Sequence, residues 1–282
     1  MYFGAHSYLW VNQWADEHIN LFEHIASLGV EAFELSLGDD IHFDYALTRK
    51  AAEAFNIKLI VGPGGHWPKQ CDISLPSVED RQRGVQWHQK NIRTCAELGV
   101  IAYTGAIYGR PGRVAHHLPS REEYLRIAES LHLLAEFAEN LGVKLILEPM
   151  SHFRTHLVNR PGQALELIRL ADHQNLHLLL DTYHLVTEIR DFRSEIINSA
   201  SHLWGFHACA NDRGVPGEDD LIPWGEVADA LKQINFNGCI ELESYNSSPT
   251  GQAAQRGLNN NPCPDGDDFV KQGFKFLHSL FE

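Results

Sequence analysis

Short apolar runs alternate along the chain with longer segments in which apolar residues recur every three or four positions. The runs fall at 1–10, 31–37, 57–62, 100–106, 143–148, 176–181, 203–208 and 238–242. Continuous apolar runs of this length suit strands buried on both faces, as in a parallel sheet. The segments with helical spacing fall between and after them, at 18–28, 44–55, 78–98, 121–141, 162–172, 194–201, 224–234 and 269–281. The joints recur as well. Leu28-Gly29-Val30, Leu98-Gly99-Val100 and Leu141-Gly142-Val143 each put a glycine just past a helix end, where the left-handed conformation is needed. Asn56 and the pair Asn237-Gly238 are expected to serve two other joints. Eight strand–helix units in this order predict an α/β fold, a single-domain (β/α)8 TIM barrel over residues 1–282. A doubly wound open sheet normally carries a glycine-rich phosphate turn after its first strand. Here the first run leads into Trp10-Val11-Asn12-Gln13-Trp14, without a glycine.

Composition narrows the class of function. Hydrophobic residues make up 44% of the chain and charged residues 21%, which supports a large packed core. The formal net charge of −14 argues against nucleic acid as a partner, since phosphate backbones call for a basic face. No apolar stretch is long enough for a membrane helix, and the first residues lack the basic start and apolar run of a secretory signal. Five cysteines, odd in number and widely spaced, predict neither disulfides nor a zinc knuckle; a cytoplasmic location is expected.

Barrel active sites lie at the C-terminal ends of the strands, so the last residue of each run is the place to look for chemistry. Four successive runs end in Glu148, Asp181, His207 and Glu243. A barrel turns such ends toward one mouth, and three carboxylates with one imidazole suit Mn²⁺, Mg²⁺ or Co²⁺ better than structural zinc. Without a cation, three buried carboxylates would raise one another's pKa. Glu243 is chosen over Glu241 because it stands at the strand end, and the two are expected to face opposite sides of the strand. His184, three residues past Asp181, and Arg213, six past His207, lie beside the proposed ligands. His6, at the end of the first strand, and His66, after the third, are weaker candidates for the same mouth. Trp10, Trp14 and Trp67 are expected to pack the mouth or wall it against a sugar ring.

The set Leu147-Glu148 … Leu180-Asp181-Thr182-Tyr183-His184 … His207 … Gly217-Glu218 … Ile222-Pro223-Trp224 … Glu243 resembles the xylose isomerase-like TIM barrels. Within them it looks closest to the D-tagatose/D-psicose 3-epimerase group. Asp72-Ile73-Ser74 with Arg81 and Gly84, the run Gly105-Ala106-Ile107-Tyr108-Gly109, and His156-Leu157-Val158-Asn159 extend the likeness over most of the chain. The resemblance implies one divalent metal ion held by Glu148, Asp181, His207 and Glu243. It implies that Glu148 and Glu243 exchange the proton at C3 of a ketose through a metal-bound cis-enediolate, with Arg213 and His184 binding substrate; His6, from its strand-end position, is expected to bind substrate beside them. It also implies a homo-oligomer, a dimer or tetramer. One position departs from the group: where the epimerases carry a second glutamate, six residues past Glu148, this chain has Arg154. Arginine is a fork donor for carboxylate or phosphate, so the substrate is expected to be a sugar that carries an acid group. A dehydratase or lyase of the same superfamily (inosose dehydratase-like), an apurinic-site endonuclease and a non-catalytic sugar-binding barrel are the alternative readings. The segment 246–268, rich in Ser, Asn, Gln and Gly, is expected to be a lid or an interface.

Overall fold

A computed structural model describes residues 1–64 and 67–282. Eight parallel strands close into one barrel in sequence order, with the last strand paired to the first. They are β1 (Tyr2–His6), β2 (Ala32–Ser36), β3 (Lys58–Gly62), β4 (Ala102–Gly105), β5 (Lys144–Leu147), β6 (Leu176–Asp181), β7 (Leu203–Ala208) and β8 (Cys239–Leu242). The helices are α1 (Leu21–Ser27), α2 (Tyr45–Ala54), α3 (Val78–Leu98), α4 (Arg121–Glu139), α5 (Pro161–Ala171), α6 (Thr182–Leu185), α7 (Phe192–Asn198), α8 (Trp224–Gln233), α9 (Gln252–Gln255) and α10 (Gly266–Phe281). The eight strand–helix units expected from the spacing are all present. The first run is strand only as far as His6, and Ser7–Leu9 turn as a 3-10 helix. The short α6 and α9 carry no helical period long enough to be read from sequence.

The joints explain where each helix stops. Gly99 caps α3 in the left-handed conformation at φ 71°, and Gly29, Gly142 and Asn56 also have positive φ. At the joint before β8 the left-handed residue is Asn235 (φ 52°), not Asn237 or Gly238, and before β6 it is Asp172 (φ 50°). Gly238 serves a different need. A Cβ there would stand 1.9 Å from the Trp204 carbonyl oxygen, so the approach of the two chains demands glycine.

Apolar side chains between strands and helices form the main core. Inside the barrel a smaller apolar plug is made by Ala32, Ile60, Ala102, Ile146, Leu179 and Cys239. Alternate residues of a strand share one face, so the residues two positions further along point into the barrel one layer nearer the C-terminal mouth. Those residues are Glu34, Gly62, Thr104, Glu148, Asp181 and Glu241. The residues two past Gly4 and Gly205, whose own missing side chains make room for Ala32, Cys239 and Leu179, are His6 and His207. The polar layer of the barrel therefore stands directly on an apolar floor.

These two kinds of glycine should respond differently to substitution. Gly238→Ala forces backbone apart and is expected to destabilise by about 1–3 kcal/mol or more, the range for overpacking. Gly142→Ala meets no neighbour within 4 Å and pays only for its positive φ, about 1–2 kcal/mol. Thermal unfolding of both variants checks this; a larger Tm loss for Gly142→Ala would contradict the packing argument.

Candidate active site

The polar layer brings Glu148, Asp181, His207 and Glu243 together at the mouth. One ligand atom from each lies within 4.8 Å of all the others, and all four residues are buried. Glu148 directly follows β5 and continues its ladder, its N–H donating to Gly105 O at 3.0 Å. Asp181 ends β6 and caps α6 by accepting from Tyr183 N at 2.8 Å through Oδ1, which leaves Oδ2 toward the mouth. His207 lies in β7, in register with Asp181 on one side and Glu241 on the other.

Glu241 does not face away from Glu243. Residues two apart share a strand face, and both carboxylates approach His207, Glu243 at 3.2 Å from Nδ1 and Glu241 at 3.7 Å from Nε2. The two glutamates occupy successive layers of the barrel interior. Glu34 of β2 completes an inner group: its Oε2 lies 3.1 Å from His207 Nε2, within hydrogen-bond reach. A charged residue in the middle of Ala32-Phe33-Glu34-Leu35 was the available sign, since a strand buried on both faces has no solvent to receive it.

His207 is therefore held from behind, at Nε2, by Glu34. Its Nδ1 is buried without a hydrogen-bond partner among the described residues and faces Glu148 Oε1 at 3.7 Å and Glu243 Oε2 at 3.2 Å. Arg213, itself fully buried and with φ 68°, gives one terminal nitrogen to Glu243 Oε2 at 2.7 Å and the other to Asp181 Oδ2 at 2.8 Å. Its guanidinium also lies over the Tyr183 ring at 4.3 Å. His184 accepts at Nδ1 from Ser151 N (3.3 Å), with Ser151 Oγ 2.7 Å away, and its Nε2 lies 3.7 Å from Asp181. His6 accepts at Nδ1 from Tyr8 N (3.0 Å) and lies with Glu34, Glu148, His207 and Glu243 on the wall of one cavity.

Enclosure sets the charges. Burial pushes the Glu34 carboxyl up to about 8, helped by Glu241, and pushes Asp181 up to about 8 against the pull of Arg213. Burial also raises Glu243, but Arg213 and His207 more than reverse it and hold that carboxylate well below its usual range. Burial alone would depress His207, yet Glu243, Glu148 and Glu241 hold it well above the usual imidazole range. Burial keeps His6 neutral, at about 3, and with Arg213 holds His184 well below 6.5. Both oxygens of Glu241 lack a hydrogen-bond partner among the described residues. So much enclosed negative charge calls for a compensating cation. The orphaned Nδ1 of His207, aimed among three carboxylates, fits a divalent ion, and the oxygen-rich donor set suits a hard or borderline one.

The remaining expected residues divide. Arg154 and Trp67 line the same cavity. Trp10 bonds Asp267 and packs on Phe33, while Trp14 bonds Thr48, so both serve packing. His66 lies outside the described residues. Tyr245, three residues past β8, and Arg256, from the segment 246–268, also line the cavity and gave no sign in the sequence.

A family model described as xylose isomerase-like TIM barrel matches residues 22–261. The chain is 24% identical to a protein named probable ketose 3-epimerase from Synechocystis sp., over 99% of this chain and 96% of that one. It is 25% identical to a D-psicose 3-epimerase from Agrobacterium fabrum, over 86% and 84%. The crystal structure of D-psicose 3-epimerase with D-tagatose from Clostridium cellulolyticum H10 superposes with a TM-score of 0.88 at 23% identity, covering 100% of both chains.

Glu34 touches only the rear nitrogen of His207, so Glu34→Gln tests whether that nitrogen's partner orients the ring. Partners of this kind typically change metal affinity by about 10–100-fold. Titration calorimetry with Mn²⁺ on EDTA-treated protein is expected to show a loss in that range, with the fold intact by circular dichroism. Unchanged affinity would mean that His207 is held by the barrel alone.

Proposed function

The chain belongs to the xylose isomerase-like TIM barrel family, and from that membership and the four-residue cluster at its mouth we propose that it is a divalent-metal-dependent sugar epimerase inverting C3 of a ketose. The proposed ligands are Glu148, Asp181, His207 and Glu243, and the ion Mn²⁺, Mg²⁺ or Co²⁺. The observation that carries the reading is the pair Glu148 and Glu243. They come from β5 and β8, three strands apart in a ring of eight, and flank His207 Nδ1 from two sides. Inversion at carbon needs a base on one face and an acid on the other, and two carboxylates so placed supply both. The names of the relatives, a ketose 3-epimerase and a D-psicose 3-epimerase, support the same reaction class. The acid group expected from Arg154 has no counterpart in those names.

When bound, the ion supplies positive charge beside the ketone oxygen and so makes the neighbouring C–H more acidic. One glutamate takes the C3 proton and leaves an enediolate; the other returns a proton to the opposite face. Arg213 fixes Asp181 and Glu243 by its two hydrogen bonds and so sets the angle at which Glu243 meets the substrate. His184 is held at Nδ1 by Ser151 and at Nε2 by Arg213, whose Nη2 lies 3.3 Å away, and it lines the hollow beside the cavity. His6 stays neutral and offers its Nε2 side to the same cavity.

Incubation of ketoses with the Mn²⁺-loaded protein in D2O should place deuterium at C3, and EDTA should stop it. Glu148→Gln and Glu243→Gln are each expected to lower kcat by about 10²–10⁴, the usual share of general acid–base catalysis. Deuterium entry followed by proton NMR reads both. Turnover that survives either substitution would sink the two-carboxylate mechanism.

A further inference from the structure

Two arginines stand at the outer part of the cavity that holds the ligand cluster, and neither has a carboxylate partner among the described residues. Arg154 lies in the middle of the loop 148–160 between β5 and α5; Arg256 follows α9 in the segment 246–268. Both line the cavity that reaches Glu148, His207 and Glu243, and both also line the adjoining hollow beside His184 and Arg213. The ion pairs of the described residues include neither of them, whereas Arg213, which lines the same hollow, is paired with Asp181 and Glu243.

Arg256 is built into its place. Its guanidinium lies 4.9 Å from the centre of the Tyr8 ring and 4.2 Å from that of Tyr245, and it donates to the Gln252 side chain. The Tyr245 hydroxyl in turn donates to Glu243 Oε1 at 3.1 Å. One aromatic ring therefore separates this cation from a proposed metal ligand. Arg154 lines the adjoining hollow together with Tyr183, His184 and Tyr245.

Arg154 and Arg256 are two half-buried cations in a protein of net charge −14, and the cluster's own ion pairs run through Arg213 and His207 instead. Neutral hydroxyls are recognised as well by amides or carboxylates, without the repulsion of two like charges. A pair of fork donors facing one space matches an oxyanion.

We propose that Arg154 and Arg256 form a subsite for an anionic group, a carboxylate or a phosphate, on the end of the ketose remote from its carbonyl. This rests on the epimerase reading for which end of the substrate meets the metal ligands. It adds that the segment 246–268 contributes to recognition through Arg256, and that the substrate is a keto-sugar acid or a ketose phosphate.

Calorimetric binding to the Mn²⁺-loaded protein at low salt, with D-fructose, D-fructuronate and D-fructose 6-phosphate, tests this without requiring turnover. At least one anion is expected to bind about 10–100-fold more tightly than fructose, the range for charge-assisted hydrogen bonds. The better of the two identifies the group as carboxylate or phosphate. In the variant Arg154→Gln/Arg256→Gln that preference should vanish while fructose affinity changes by less than about threefold. Lysine at both positions should restore part of it, since charge returns without the fork. Equal binding of all three sugars to the parent protein, or no binding of either anion, overturns the subsite, and this comparison needs no variant to fold. Deuterium entry in the same samples separates the two readings. Tight anion binding with no exchange refutes the epimerase and keeps the subsite. Exchange on fructose without anion preference does the reverse.

Discussion

Five carboxylates, Glu34, Glu148, Asp181, Glu241 and Glu243, meet around one imidazole below the C-terminal mouth of the barrel, and almost everything polar in the interior answers that concentration of charge. Water is excluded below by the apolar plug, so the repulsion is not screened from that side. Arg213 relieves part of it by joining Asp181 to Glu243. His207 relieves another part by standing between the inner pair, Glu34 and Glu241, and the outer pair, Glu148 and Glu243. What these two residues leave uncompensated defines the electrostatic character of the mouth. It is a site that favours a small, multiply charged cation.

The same constraint accounts for the rigidity of the surroundings. Arg213 sits in a left-handed backbone conformation that costs energy for a residue with a side chain. The return is a guanidinium delivered from a loop to two strand ends at once, with Ser244 Oγ donating to its carbonyl at 2.5 Å to hold the turn. Asp220 likewise pins the following loop through Trp224 Nε1 and two backbone N–H groups. Buried charge is tolerated where each group is fixed by several partners, because a loosely held partner would leave the rest unpaired.

Much of this was legible in the sequence. The eight runs, the capping glycines and the charges at four successive run ends carry the fold and the cluster, because strand burial and helix capping are local effects. Run ends alone do not reveal the inner pair: Glu34 stands inside its run, and Glu241 is passed over for Glu243 as if it faced the other side of the strand. Glu34 and Glu241 lie two residues past Ala32 and Cys239, in the interior layer that also contains Glu148 and Asp181, and the period of two applied along each strand would have found them. It would also have put Glu241 and Glu243 on one face. Arg256 offered no such sign. Its place depends on Tyr8 and Tyr245, which the closure of β1 on β8 brings together from opposite ends of the chain, and on the path of a loop that no periodicity governs.

That division between strand and loop is also a division of labour. Glu148, Asp181, His207 and Glu243 lie on or directly after strands whose register fixes them to their neighbours, so their mutual geometry is a property of the barrel. Arg154 and Arg256 lie on loops, and a change of loop moves or replaces them without disturbing a strand pair. Proton transfer at carbon needs groups held within tenths of an ångström, whereas recognition of a distant substituent tolerates a longer lever. A barrel that keeps its chemistry on the sheet and its selectivity on the loops can exchange one sugar for another by altering the outer residues alone. Arg154 and Arg256, which line one cavity from two separate loops, are the residues that such a change would alter.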